Sequence, residues 1–269
     1  MSYLTLSITS ILFMLLYWPL FPSLVKEWIN FPDYSHGFLI LPVSIYFLWR
    51  KREELKNAAI APSAAGIVII LAGLALHILG KLGFQLFLQY CSMLVVLFGL
   101  VYAQGGPAIA RQAAFPIAYL IFMIPLPQIV YTTITFHLSL LSTKLSYIVL
   151  RLAGVPAAIE GNIIGLPTCR LVVATPCSGL RSIIVFTAAS VAIGYLYQKS
   201  LKNRAILFAS GLALAVLMNT IRLFVTAYIA YIFKLPEVPM TVHDRTGIAV
   251  VIAGFGILYW LSDQLAKKR

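Results

Sequence analysis

The sequence predicts an all-α polytopic transmembrane bundle of about eight crossings, organised as one domain over residues 1–269 with no separate soluble domain. Three observations predict it. Apolar residues fill 61% of the chain and charged residues only 10%, whereas soluble domains carry roughly 45–50% and 25%. Nine apolar stretches, at about 4–21, 37–49, 63–80, 83–103, 108–124, 128–152, 171–198, 205–233 and 247–262, are separated by short polar punctuation. Basic residues collect in that punctuation, as Arg50-Lys51-Arg52 with Lys56, Arg111, Lys199 with Lys202 and Arg204, and Lys267-Lys268-Arg269. A helix needs about 20 apolar residues to cross hydrocarbon. Ordinary cytosolic enzymes, disordered chains and conventional nucleic-acid binders are excluded by the same shortage of charge.

The net charge of +12 is therefore read as topology, because Lys and Arg mark the cytoplasmic loops of membrane proteins. Membrane lipid, not nucleic acid, is the partner it implies. With a cytoplasmic start, the first stretch leaves the cytoplasm and the basic runs all lie inside. It opens at Met1 without a basic flank or a small-residue cleavage site, which fits a retained anchor. Trp18 and Trp28 read as interface anchors. An inside tail then requires an even number of crossings, so one of the nine stretches does not cross.

That stretch is expected to be 128–152, whose Thr132, Thr133, Thr135, His137, Ser139, Ser142, Thr143, Lys144 and Ser146 suit an amphipathic helix at the outer surface. The alternative is that 128–152 crosses and 155–176 returns as a broken, protein-buried segment. Residues 153–170, with Gly154, Pro156, Gly161, Asn162, Gly165 and Pro167, read as an outer loop full of breakers. A helix is then expected to begin near Cys177, with Pro176 in its first turn, and to run inward to Tyr197.

Three polar features interrupt the apolar flanks. Cys177 and Arg181 are four residues apart, which would share one helical face, and a thiol near a helix N-terminus beside a guanidinium favours its thiolate. Asn219 and Arg222 are three apart inside an apolar run, where an arginine is costly and marks a functional candidate. His243-Asp244-Arg245 precedes the last stretch. Each has a plainer reading: a small buried thiol, a snorkelling arginine, an idle loop histidine. All three, however, reach the same leaflet. A thiol nucleophile requires a base such as histidine, and attack on a carbonyl generates an oxyanion that fixed donors stabilise. Cys177, His243 and Arg222 can fill those roles, with Asn219 and Arg181 placing a carbonyl or a substrate carboxylate. No acidic pair in a membrane stretch and no HExxH motif is present in the sequence. His36, His77 and His137 are too dispersed for a metal site, so neither metal nor cofactor is expected. A transporter or channel with an arginine-lined anion path competes, as does an enzyme of lipid-linked carbohydrate.

The ordered set Tyr34-Ser35-His36-Gly37, Gly161-Asn162-Ile163-Ile164-Gly165-Leu166-Pro167, Pro176-Cys177-Ser178-Gly179-Leu180-Arg181-Ser182, Asn219-Thr220-Ile221-Arg222 and His243 resembles the exosortase/archaeosortase family of multipass membrane cysteine transpeptidases. The resemblance implies Cys177 as nucleophile, Arg222 as essential arginine and His243 as catalytic histidine. Ser178, Arg181, Asn219 and Asp244 stand beside them. Arg170 and Arg181 are expected to meet an acidic recognition side chain, and His36 to contribute to the mouth. Implied substrates are membrane-anchored proteins bearing a C-terminal sorting signal, cleaved through a thioester that an amine acceptor resolves. In bacteria the family usually reads a motif containing Pro-Glu-Pro. The expected location is the cell inner (cytoplasmic) membrane, with the site toward the outer face.

Overall fold

The computed structural model describes residues 3–173, 177–236 and 240–267, with the side chains of residues 3, 4, 240, 241, 243 and 244 outside that description. The chain is an all-α polytopic bundle and a multi-pass membrane protein. Among the described residues, six helices are long and apolar enough to cross a membrane, or seven if a first pair bent by 53° counts as one span. Two units divide the chain, Met1–Gln128 and Ile129–Arg269.

In the first unit, α1 (Tyr3–Tyr17) and α2 (Leu20–Asn30) form the bent pair, followed by α3 (Gly37–Arg50), α4 (Arg52–Asn57), α5 (Ala65–Leu82), α6 (Leu86–Gly105) and α7 (Pro107–Tyr119). Helices α5 and α6 pack through a seven-residue glycine repeat. A Cβ at Gly66 would meet the Ala103 backbone, one at Gly73 would lie 2.6 Å from Val96 Cγ2, and one at Gly80 2.9 Å from Gln89 Cγ. Bare backbone at each turn lets the helices approach closely, which is how packing compensates in lipid for the missing hydrophobic drive.

Helix α3 runs antiparallel to α7. Lys51 Nζ donates to Gln112 Oε1 at 2.6 Å, Ser44 Oγ to the Pro116 carbonyl at 2.7 Å, and His36 Nε2 to the Phe122 carbonyl at 2.9 Å. Trp28 Nε1 donates to the Met123 carbonyl at 2.9 Å. The break at Ile124-Pro125-Leu126-Pro127 frees carbonyls from helical bonding, and these side chains satisfy the carbonyls just before it. Tyr34 adds a bond to the Leu126 backbone, and burial still pushes its phenol up to about 12.

The second unit begins with α8 (Gln128–Leu152), then a small sheet, then α9 (Leu180–Tyr197), α10 (Leu201–Ile232) and α11 (Met240–Lys267). Helix α8 differs from the surface helix expected. Its Thr135, Ser139, Ser142, Thr143 and Ser146 are buried, while Ile129, Phe136, Leu141 and Leu152 are exposed. The polar residues therefore form the packing face rather than a water-facing one, and by length and composition α8 could cross. Ser146 Oγ donates to the Thr220 carbonyl at 3.4 Å, and Ser142 meets Asn219 at 2.9 Å. Both bonds join α8 to the Asn219–Thr220 step of α10.

Residues 153–173 are also more ordered than a breaker-rich loop. Helix α8 ends in a Schellman motif. Gly154 takes φ 79°, its N–H meets the Arg151 carbonyl at 3.1 Å, and the Val155 N–H meets the Leu150 carbonyl at 3.0 Å. Next come β1 (Ala158–Glu160), β2 (Ile163–Gly165) and β3 (Arg170–Val172), antiparallel in the order β1-β2-β3, with Ile159 opposite Ile164 and Ile164 opposite Leu171. Gly161, Asn162 and Pro167 lie in the turns of this sheet. Ile164, Leu166 and Val173 bury against Leu150 and Val155 from the α8 end and Leu223, Ala227 and Ala230 of α10.

Helices α9, α10 and α11 close around Phe186, Leu207, Leu214, Met218 and Leu258. At the end of α9 away from Cys177, Gln198 Nε2 donates to the Ser262 carbonyl at 2.7 Å and to Ser262 Oγ at 2.9 Å. Asn203 Nδ2 donates to Gln198 Oε1 at 3.2 Å and Arg204 Nε to the Gln198 carbonyl at 2.8 Å.

Candidate active site around Cys177

Cys177 does not lie within α9. The helix starts at Leu180, after Gly179 in the left-handed region at φ 99°. Cys177 and Arg181 therefore do not share a helical face, contrary to their spacing. Pro176, expected in the first turn, lies outside the described residues. Cys177 is half-buried and packs against the cluster formed by the sheet and the ends of α8 and α10. Among the described residues no disulfide joins Cys91, Cys169 or Cys177.

The segment 177–179 is held through its carbonyl groups. Asn219 Nδ2 donates to the Cys177 carbonyl at 3.2 Å and to Ser142 Oγ at 2.9 Å. Ser142 Oγ in turn donates to the Ser178 carbonyl at 3.0 Å. Ser178 Oγ accepts the Leu180 N–H at 3.4 Å, which serves the first turn of α9. Asn219 is only 1% exposed, so a polar group there needs partners. Gly179 makes the approach possible, since a Cβ on it would sit 2.8 Å from Asn219 Nδ2. Two successive carbonyls drawn to one side leave the N–H groups of Ser178 and Gly179 pointing to the other, because a trans peptide directs its C=O and N–H oppositely.

Arg222 lies one turn beyond Asn219 on α10 and is half-buried. Its Cδ is 3.8 Å from where a Cβ on Gly247 would stand. Thr226 Oγ1 and Thr246 Oγ1 are 3.3 Å apart, so the start of α11 packs beside the Arg222 region. His243 and Asp244 belong to that first part of α11, with His243 one turn before Gly247. Their side chains lie outside the described residues. Arg181 and Arg170 are both exposed, on α9 and β3. His36 lies in the first unit, where it donates to Phe122.

Ser142 was missed from the sequence as a member of this site. Its signal was the buried-face spacing 135, 139, 142, 143 and 146 on α8, a polar stripe inside an otherwise apolar chain. Asn219, expected to position a carbonyl or a substrate carboxylate, donates to the Cys177 carbonyl, 42 residues away.

A family model described as transmembrane exosortase (Exosortase_EpsH) matches residues 28–260. The chain belongs to the transmembrane exosortase family. No curated protein and no solved structure matches it. Exosortase membership and the polytopic bundle together make the protein a membrane-embedded exosortase-like enzyme. The matched region takes in Cys177, Asn219, Arg222 and His243 alike.

Proposed function

We propose that this exosortase is a membrane cysteine transpeptidase/protease that cleaves C-terminal sorting signals of exported proteins through a thioester on Cys177. Each signal would consist of a recognition motif, a transmembrane helix and a basic tail. The observation that carries the reading is the elbow at Cys177, whose backbone is held by Asn219 one turn from Arg222, in a chain of this family.

In this reading His243 takes the thiol proton as Cys177 Sγ attacks the substrate carbonyl carbon, and the C=O electron pair moves onto oxygen. Arg222 receives that oxyanion with a planar, permanently charged donor fork. Collapse breaks the C–N bond, and His243 returns the proton to the departing amine, which leads the freed transmembrane helix. An amine acceptor, or water, then attacks the thioester. Asn219 and Ser178 act through the elbow, and Asp244 stands beside His243. Arg170 and Arg181 meet an acidic recognition side chain.

Eight crossings return both ends to the cytoplasm: the bent first pair, α3, α5, α6, α7, α9, α10 and α11. The bonds between α3 and α7 support counting those shorter helices as a crossing pair. The polar packing face that α8 turns to Asn219 and Thr220 of α10 supports a segment that does not cross. Arg222 lies 21 residues after the first residue of α10, or about 32 Å along an ideal helix, close to the thickness of the hydrocarbon layer. With Lys202 and Arg204 inside, the site faces outward from the inner (cytoplasmic) membrane.

Cys177→Ala should abolish processing of a co-expressed sorting substrate while the protein still accumulates in the membrane. Mass spectrometry of that substrate locates the cut, and normal cleavage by the variant overturns the reading.

A further inference from the structure

Among the described residues the sheet has β1 and β3 as its two outer strands, and their edges differ. In the β2–β3 ladder the Val173 N–H meets the Asn162 carbonyl at 2.8 Å and the Leu166 N–H meets the Cys169 carbonyl at 2.8 Å. With Ile164 opposite Leu171, the antiparallel alternation turns the backbone groups of residues 169, 171 and 173 toward β2. Those of Arg170 and Val172 turn the other way, to the open edge of β3. On the opposite side, the same alternation leaves only Ile159 of β1 facing outward.

The edges also differ in charge. Exposed Arg170 stands on β3 and exposed Glu160 on β1. Val172 is 53% exposed among the described residues. A bare strand edge is a template for another extended segment, and adding a strand is an established way to bind a peptide. Cys177 follows Val172 by five residues in sequence, and Leu171 and Cys177 pack against the same buried cluster.

We propose that the open edge of β3 is the substrate-docking strand, on which an extended, acidic segment of the sorting signal pairs with the outward backbone groups of Arg170 and Val172. The Arg170 guanidinium then selects the acidic side chain, and the sheet delivers the following peptide bond toward Cys177. This rests on the transpeptidase reading and adds to it the binding mode. The positive edge, rather than the Glu160 edge, fixes the occupant as an acidic peptide.

Val172→Pro removes an outward N–H while leaving the β2–β3 ladder intact, a position at which an edge strand tolerates proline. It should lower kcat/KM about tenfold through KM, with kcat little changed. Arg170→Glu should lose a similar factor and recover when the acidic substrate residue is replaced by lysine. The decisive measurement leaves the enzyme untouched. Synthetic substrates N-methylated at one backbone position at a time should lose cleavage at alternate positions, as strand pairing requires. Cleavage that tolerates every N-methyl group, or is lost at consecutive positions, overturns the proposal even if Val172→Pro fails to accumulate. A Cys177→Ala control in the same assay separates the failures, since residual cleavage by it sinks the transpeptidase reading, not merely the docking strand.

Discussion

The hydrogen-bonded elbow makes Asn219→Ala the most informative substitution. It removes both bonds donated by Nδ2, at 2.9 Å to Ser142 Oγ and 3.2 Å to the Cys177 carbonyl. Each buried acceptor left without its donor costs about 1–3 kcal/mol, so the loss of stability from two should be about 2–6 kcal/mol. The loosened carbonyl also lets Cys177 shift, and a displacement of about 1 Å at a reacting atom costs on the order of 100-fold in rate. Processing should therefore fall about 100-fold through kcat. Ser142→Ala breaks the shared 2.9 Å bond and the 3.0 Å bond to the Ser178 carbonyl, so the two substitutions overlap. Unfolding of both single variants and the double variant in detergent should give a double cost smaller than the sum by about 0.5–1.5 kcal/mol. Additivity within about 0.5 kcal/mol, or an Asn219→Ala protein that processes substrate at the wild-type rate, refutes the clamp.

Gly179→Ala should be as damaging as Asn219→Ala, because the residue combines φ 99° with a Cβ position 2.8 Å from Asn219 Nδ2; processing and accumulation measure it. Arg222→Lys keeps the charge but loses the planar fork, so processing should drop at least tenfold, and an unchanged rate removes its oxyanion role. Gln198→Ala, at the far end of α9, should cost about 2–4 kcal/mol by stranding the bonds to Ser262 and Asn203, with activity per folded molecule unchanged. Tyr34, held up to about 12 mainly by burial, favours the protonated phenol in the folded state. Its stability contribution is complete below the ordinary tyrosine pKa of about 10 and is lost as pH rises from there toward 12. Alkaline unfolding compared with Tyr34→Phe should show the difference confined to that window.

The helices and their order were legible because long apolar runs with few charges have one physical outcome in a bilayer. Two places were not. In 128–152, hydroxyl content was read as a demand for water, yet Ser142 and Ser146 satisfy themselves on the Ser178 and Thr220 carbonyls. In 153–173, Gly154, Gly161 and Pro167 were read as breakers, whereas short strands between them pair locally. Strands of three residues carry too little periodicity to distinguish from loop. The α5–α6 contact depends on Gly66, Gly73 and Gly80, whose seven-residue spacing was present in the sequence and lacked only a partner helix to give it meaning.

Candidate residues could be named from the sequence but not placed, and the difference lies in which groups local spacing can position. Asn219 and Arg222 sit on one continuous helix, so their separation carries over to the fold. Cys177 and Arg181 do not, because Gly179 takes a left-handed conformation between them and starts α9 three residues later than the thiol. What joins Cys177 to Asn219 is a bond across 42 residues, relayed through Ser142 on a third element. In hydrocarbon, a buried amide cannot turn to water for a partner. Asn219 therefore has to be placed where carbonyls converge, and the backbone beside a thiol is where they do. That constraint ties stability to positioning: the group that anchors the elbow is also the one whose removal must move Cys177. A variant that restores the lost stability elsewhere, by a packing change in the α9–α11 cluster at Met218 or Leu258, should recover accumulation of Asn219→Ala without recovering its rate. Recovery of both together would show that Asn219 acts on folding alone.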